Sequence, residues 1–213
     1  MTSKTKIHTV YKVGGKRVPS VTTILGILNK PALQHWAWQM GVEGLDYRNV
    51  RDQAADVGTL AHHMIMCHLT GEEPDTGEYS AHDIEQAENC LIKYWDWEKA
   101  HKIKAVLVEA PLVSRLGFGG TIDCLAECDG ELWLIDHKTG KAIYDDMFYQ
   151  LAAYKHLLTE QGYEVASTRI LRIGRNEDEG FEERVAINLD KHLDLFMSCY
   201  KIYELQKEIK RIR

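Results

Sequence analysis

Gly119-Gly120-Thr121-Ile122-Asp123-Cys124-Leu125-Ala126-Glu127-Cys128, then Asp129-Gly130, then Glu131-Leu132-Trp133-Leu134-Ile135-Asp136-His137-Lys138-Thr139, reads as two strands closed by a tight turn. Asp-Gly between apolar runs is a strong hairpin signal, because a two-residue type I′ turn needs positive φ at both positions. Cys128 then pairs with Glu131, and paired positions sum to 259. This register sets Asp123 across from Asp136 and Thr121 across from Lys138. Alternation along strands sends Asp123, Asp136 and Lys138 to one side. Opposed residues have Cβ atoms ~4.5–5.5 Å apart. Two carboxylates that close do not both ionise readily without a cation, and together they offer oxygens to a hard divalent ion at ~2.0–2.1 Å.

The bland alternative is a surface hairpin whose charges are solvated. Against it, Asp136 ends the run Leu132-Trp133-Leu134-Ile135, which is apolar on both faces and fits a central strand covered on both sides. An ionised carboxylate there is costly without a partner.

Outward from the hairpin, strands are expected at 105–113, 118–128 and 131–138. A helix follows from Asp145 or Asp146 to about Gly162, then strands at 168–173 and 181–187, and a closing helix from Asp190. Upstream, Gly14-Gly15 marks a short hairpin between Ile7–Tyr11 and Lys16–Val18. Ser20 caps a helix reaching about Asn29, a Trp-rich helix covers 32–41, a helix covers 52–69, and Ser80 caps a long helix to about His101. This order predicts an α/β fold of mixed (α+β) character, a central mixed β-sheet flanked by helices. At 213 residues the chain suits a single domain, with 1–50 as an N-terminal elaboration and 51–213 as the core.

Some polar residues stand where an apolar one is expected. Glu109 interrupts an apolar strand run, either to pair with a neighbouring base or to face the same cation as the aspartates, and Pro111 in that run marks an edge or bulged strand. His62 borders the apolar face of its helix, and taken alone such a histidine is more often packed than ligating. Gln150 and Tyr154, four apart, share one helix face. Trp36, Trp38, Trp95 and Trp97 are more readily core or groove-lining residues than base-stacking ones.

Composition bounds the function classes. No apolar run approaches the ~18–20 residues of a membrane span, and the N-terminus lacks a signal-peptide core, so an intracellular protein is expected, in the cytoplasm of a bacterium or a phage-infected host. The five cysteines are odd in number and scattered, which fits reduced, packed thiols better than a disulfide framework, a zinc finger or an iron–sulfur cluster. Net charge is −6, which counts mildly against a nucleic-acid binder. Basic residues gather near both ends, and local potential can oppose net charge.

Gly58-Thr59-Leu60-Ala61-His62, Glu109, Gly120-Thr121-Ile122-Asp123, Asp136-His137-Lys138-Thr139 and Gln150-x-x-x-Tyr154 occur in one order. This set resembles the PD-(D/E)xK nuclease superfamily in its RecB-like exonuclease branch. It is similar to the mitochondrial genome maintenance exonucleases and their phage and bacterial relatives, which share a P-S-V-T-T-x-L segment, here Pro19 to Leu25. The resemblance implies a restriction-endonuclease-like core and Mg²⁺ or Mn²⁺ as cofactor, without an iron–sulfur cluster. Asp123 and Asp136 would be the principal metal ligands, joined by the backbone carbonyl of His137 and by His62. Glu109 would serve a second or transient ion, and Lys138 would be the catalytic lysine. Gln150 and Tyr154, with Thr139 at the motif's end, would brace the site and contact the scissile strand. The second acid, Asp136, is Glu in many members. The activity implied is metal-dependent hydrolysis of DNA at single strands or free ends. A structure-specific endonuclease and a non-catalytic DNA-binding or docking module are the alternatives.

Overall fold

The computed structural model describes residues 9–212. Its centre is a five-stranded sheet of β3 (Lys104–Val113), β4 (Gly119–Cys128), β5 (Glu131–Lys138), β6 (Val165–Ile173) and β7 (Phe181–Ala186), in the order β3-β4-β5-β6-β7. Neighbours run antiparallel except β5 and β6, which are parallel. A parallel pair needs a crossover, and α5 (Asp145–Glu160) supplies it. The mixed α/β class read from the sequence is the one observed.

Helices cover both faces. Ile122, Leu125, Leu134 and Ile170 pack with α1 (Val21–Leu25), α5 and α6 (Asp190–Ile212). Cys124, Ala126, Ile135 and Leu171 pack on the other face with α3 (Tyr47–Thr70) and α4 (Ala81–His101). β5 is therefore central and doubly covered, as its apolar run implied. All five cysteines are free and buried. Trp97 is buried, whereas Trp38 on α2 (Pro31–Val42) is exposed, and α2 has no buried residue.

The β4–β5 register is the expected one, from Cys128↔Glu131 to Cys124↔Ile135, with positive φ at Asp129 (51°) and Gly130 (81°). Helix ends shift where caps decide them. α3 begins at Tyr47 rather than Asp52, because the Asp46 side chain accepts the Arg48 amide at 2.9 Å. Ser20 and Ser80 cap α1 and α4 as expected. The N-terminal hairpin forms between β1 (Lys12–Val13) and β2 (Lys16–Arg17). Ile7, His8 and the basic Lys4, Lys6 and Arg213 lie outside the described residues.

β3 is an edge strand with an exposed Pro111 and a register shift between Ala105 and Leu107. A second irregularity bears on the site. Leu107 opposes Leu125 and Ala110 opposes Ile122, and all four pack on the α5 face. Strict alternation cannot return to one face after three residues. On β3 the slip falls at Glu109, which has a left-handed φ of 45°, and on β4 it falls opposite, between Ile122 and Leu125.

Candidate active site

The slip at Glu109, opposite Asp123, turns both acids toward α3. His62 Nδ1 on that helix lies 3.9 Å from Glu109 Oε1 and 3.7 Å from Asp123 Oδ2. The β4–β5 ladder stops at Cys124↔Ile135, one pair short of Asp123 and Asp136. In the gap, Asp123 Oδ2 accepts the backbone amide of His137 at 2.7 Å. The sequence reading set the two aspartates side by side on one face. Instead, Asp123 leans into the fork between the strands, because β4's own alternation breaks here: Ile122 and Leu125, three apart, share the α5 face while Cys124 faces α3 and α4.

Asp136 is 1% exposed, and Lys138 Nζ stands 2.6 Å from its Oδ2. Neither Asp136 oxygen has a hydrogen bond of good geometry, nor does the buried Nε2 of His137. With Oδ2 beside Lys138, Asp136 Oδ1 is left without a partner near a second carboxylate, a donor set that fits a divalent cation. Among the described residues, the donor atoms that all lie within 4.8 Å of one another belong to His62, Asp123 and His137. Asp136 stands outside that set, paired with Lys138. Glu109 lies outside it too, although within reach of His62. The His137 ring, expected only to lend its backbone carbonyl, thus faces the same space as Asp123, with Nδ1 3.9 Å from Oδ2.

Electrostatics follow from burial and these neighbours. Burial raises Asp136 to about 6, with Lys138 pulling it down and Asp123 pushing it up. Asp123 also feels burial, but His62, Lys138, His137 and the His137 amide outweigh it and hold it below the usual carboxylate value. Burial opposes the charged forms of His62 and Lys138, yet the carboxylates prevail and raise both. Burial lowers His137 to about 4, leaving a neutral ring at neutral pH.

Supporting residues come from three directions. Gln150 Nε2 donates to Tyr154 Oη at 2.7 Å, and burial followed by the charges of Asp136 and Asp123 raises the Tyr154 phenol far above its ordinary value. A Cβ on Gly120 would sit 2.5 Å from Tyr154 Cε1, so glycine lets that ring lie against β4. Thr139 Oγ1 would be 2.9 Å from a Cβ on Gly58 of α3. The sequence reading did not single out Tyr11, which accompanies Thr121: their hydroxyls are 2.8 Å apart, and a Cβ on Gly119 would meet the Tyr11 ring at 2.5 Å. The Gly119-Gly120 doublet carried the signal, since paired glycines inside a strand mark close approach on both faces.

An open cleft of about 990 Å³ runs over this ground, with His62, Glu109, Asp123, Thr121 and Thr139 among its lining. No helix of the described residues is long and apolar enough to cross a membrane.

The model of the PD-(D/E)XK nuclease superfamily matches residues 35–201. A search of the curated proteins found no matching relative. Among solved structures, a candidate exonuclease of Eubacterium rectale is similar over 70% of this chain, at 12% identity and a TM-score of 0.49, and this chain spans 65% of that protein's length. An alkaline exonuclease from Laribacter hongkongensis in complex with dAMP is similar over 75% of this chain and 88% of its own, at 15% identity and a TM-score of 0.42. Both scores lie below 0.5, so the family match is what places the chain.

Proposed function

Since the chain belongs to the PD-(D/E)XK nuclease superfamily, whose members work with divalent metals, we propose that it is a metal-dependent DNA exonuclease that hydrolyses phosphodiester bonds at single strands or free ends. The observation that carries this reading is the fork between β4 and β5. There Asp123 faces His62 and Glu109 at an open cleft, while the buried Asp136, paired with Lys138, lies close enough to feel its charge.

In this reading Asp123, Asp136 and His62 hold the ion, Mg²⁺ or Mn²⁺. The His137 carbonyl or ring completes the set, and Glu109 serves a second ion. A bound divalent cation supplies a water of lowered pKa and a polarised phosphate. Lys138, kept protonated by Asp136 and Asp123, orients the attacking water and offsets charge on the phosphate rather than taking a proton. Gln150 and Tyr154 brace the Asp136 side, and Thr139 borders the path of the scissile strand. We take 1–213 as one nuclease domain.

Labelled single- and double-stranded DNA incubated with Mg²⁺, Mn²⁺ or EDTA tests this. Cleavage to mononucleotides is expected with metal only. Asp136→Ala and Lys138→Ala should each lower the rate by roughly 10²–10⁴. Cleavage in EDTA, or full activity in both variants, overturns the mechanism. Internal cuts without mononucleotides point to an endonuclease on the same core.

A further inference from the structure

The cleft has an unusual chemical lining for one that takes a polyanion. Its ionisable side chains include Asp75, Glu78, Glu109 and Asp123, and among the described residues neither lysine nor arginine contributes to its walls. One side is instead rich in hydroxyls, from Thr9, Tyr11, Ser20, Thr22 and Thr121. We propose that this hydroxyl wall is the track for the sugar–phosphate backbone of a single strand, holding it by neutral hydrogen-bond donors. The inference rests on the nuclease reading above and adds how the substrate is held.

The wall is continuous. Ser20 bridges to Gly119, two residues from Thr121, and the Gly119 amide donates to the Pro19 carbonyl at 3.0 Å. Thr121 in turn meets the Tyr11 hydroxyl. Thr121 stands two residues, about 6.5 Å, along β4 from Asp123. A phosphate at the metal-binding fork therefore has its neighbour beside the wall.

Proton counting makes the wall a donor surface. The Tyr11–Thr121 pair has two hydroxyl protons, and their single contact uses one. Ser20 contacts the hydroxyls of Thr22 at 3.0 Å and Thr23 at 2.7 Å, while its oxygen also accepts the Thr23 amide. Three hydroxyl protons serve two such contacts, leaving one to spare. Each cluster thus has one more O–H than its internal contacts use.

Neutral donors also suit the neighbourhood. A lysine or arginine here would pair with Glu109 or Asp123, as Lys138 pairs with Asp136, and would compete with the ion. A duplex carries twice the charge of a single strand per unit length, and Asp75 and Glu78 in the cleft lining oppose a second backbone.

The test is binding of a fluorescent single-stranded oligonucleotide, measured by anisotropy with Mn²⁺ on Lys138→Ala protein across a potassium chloride series. The wall predicts a log K against log salt slope shallower than about −2, since none of the described residues lining the cleft is a lysine or arginine. A slope as steep as that or steeper overturns it. Steady-state kinetics of Tyr11→Phe and Thr121→Val should show KM raised about tenfold with kcat within about twofold, as expected for a lost hydrogen bond to a charged group. Tyr11→Phe keeps the aromatic ring on Gly119, so melting temperature serves as the folding control. KM unchanged in both variants also overturns the wall. Shallow binding by a wild-type protein that does not cleave would leave the wall standing and remove the nuclease reading. Metal-dependent cleavage with a steep slope would do the reverse.

Discussion

The carboxylate of Asp123 on β4 accepts the backbone amide of His137 on β5 at 2.7 Å, in the place where the next ladder bond would fall. A side chain thus closes the sheet at the point where backbone pairing ends. Asp123 serves the fold and the candidate ion site at once, and two substitutions separate the roles. Asp123→Ala should lose activity and, in EDTA, roughly 1.5–3 kcal/mol of stability, the worth of a hydrogen bond to a charged group. Asp123→Asn keeps an acceptor oxygen and should recover most of that stability while remaining inactive. Urea denaturation beside a cleavage assay checks both; equal stability of the two variants would deny the closing role.

Glu109 holds a φ of 45°, which costs a non-glycine residue roughly 1–2 kcal/mol. Glu109→Ala keeps that strain and Glu109→Gly relieves it. After allowance for the glycine's greater freedom when unfolded, the Gly variant should be about 1 kcal/mol more stable than the Ala variant. Both should lose activity. Equal melting temperatures would argue that the kink is unstrained.

Two shifts oppose each other as pH rises from that of the His137 midpoint to that of Asp136. Asp136 rises to about 6, so the folded state keeps a proton that the unfolded state has lost, and stability falls as pH rises through this range. His137 falls to about 4, so the unfolded state holds the extra proton, and stability rises over the same range. In the metal-free wild type the two contributions nearly cancel. His137→Leu should expose the Asp136 slope, a loss approaching ~1.4 kcal/mol per pH unit. Denaturation at about pH 4, 5 and 6 in EDTA reads it, and a variant as flat as wild type would contradict the assignment.

Gly120→Ala places a methyl group 2.5 Å from a carbon of the buried Tyr154 ring. Overpacking of this kind costs roughly 1–3 kcal/mol, and the displaced phenol should carry Gln150 with it. Expected outcomes are a lower melting temperature and a kcat reduced at least about tenfold. Activity at the wild-type level would release Tyr154 from its bracing role.

Much of this was legible in the chain itself. Asp129-Gly130 set the β4–β5 register, and Leu132 to Ile135 announced a strand covered on both faces. Ser20 and Ser80 marked helix starts, and Pro111 pointed to an edge. What escaped was non-local. Period-two alternation put Asp123 beside Asp136, and only the contact with β3 reveals the slip that turns it toward His62. Tyr11 gave no local hint, because its role depends on glycine positions far along the chain. That Lys138 stands beside Asp136 was legible from alternation, but that Asp136 falls outside the His62, Asp123 and His137 group was not.

The kink at Glu109 has a further effect on the sheet's outer margin. β3 carries Pro111, which lacks an amide proton, a shifted register near Ala105 and a left-handed residue between them. A margin so interrupted is a poor template for a foreign strand. The same distortion that aims an acid inward guards the molecule against edge-to-edge aggregation, so straightening it should trade solubility as well as chemistry.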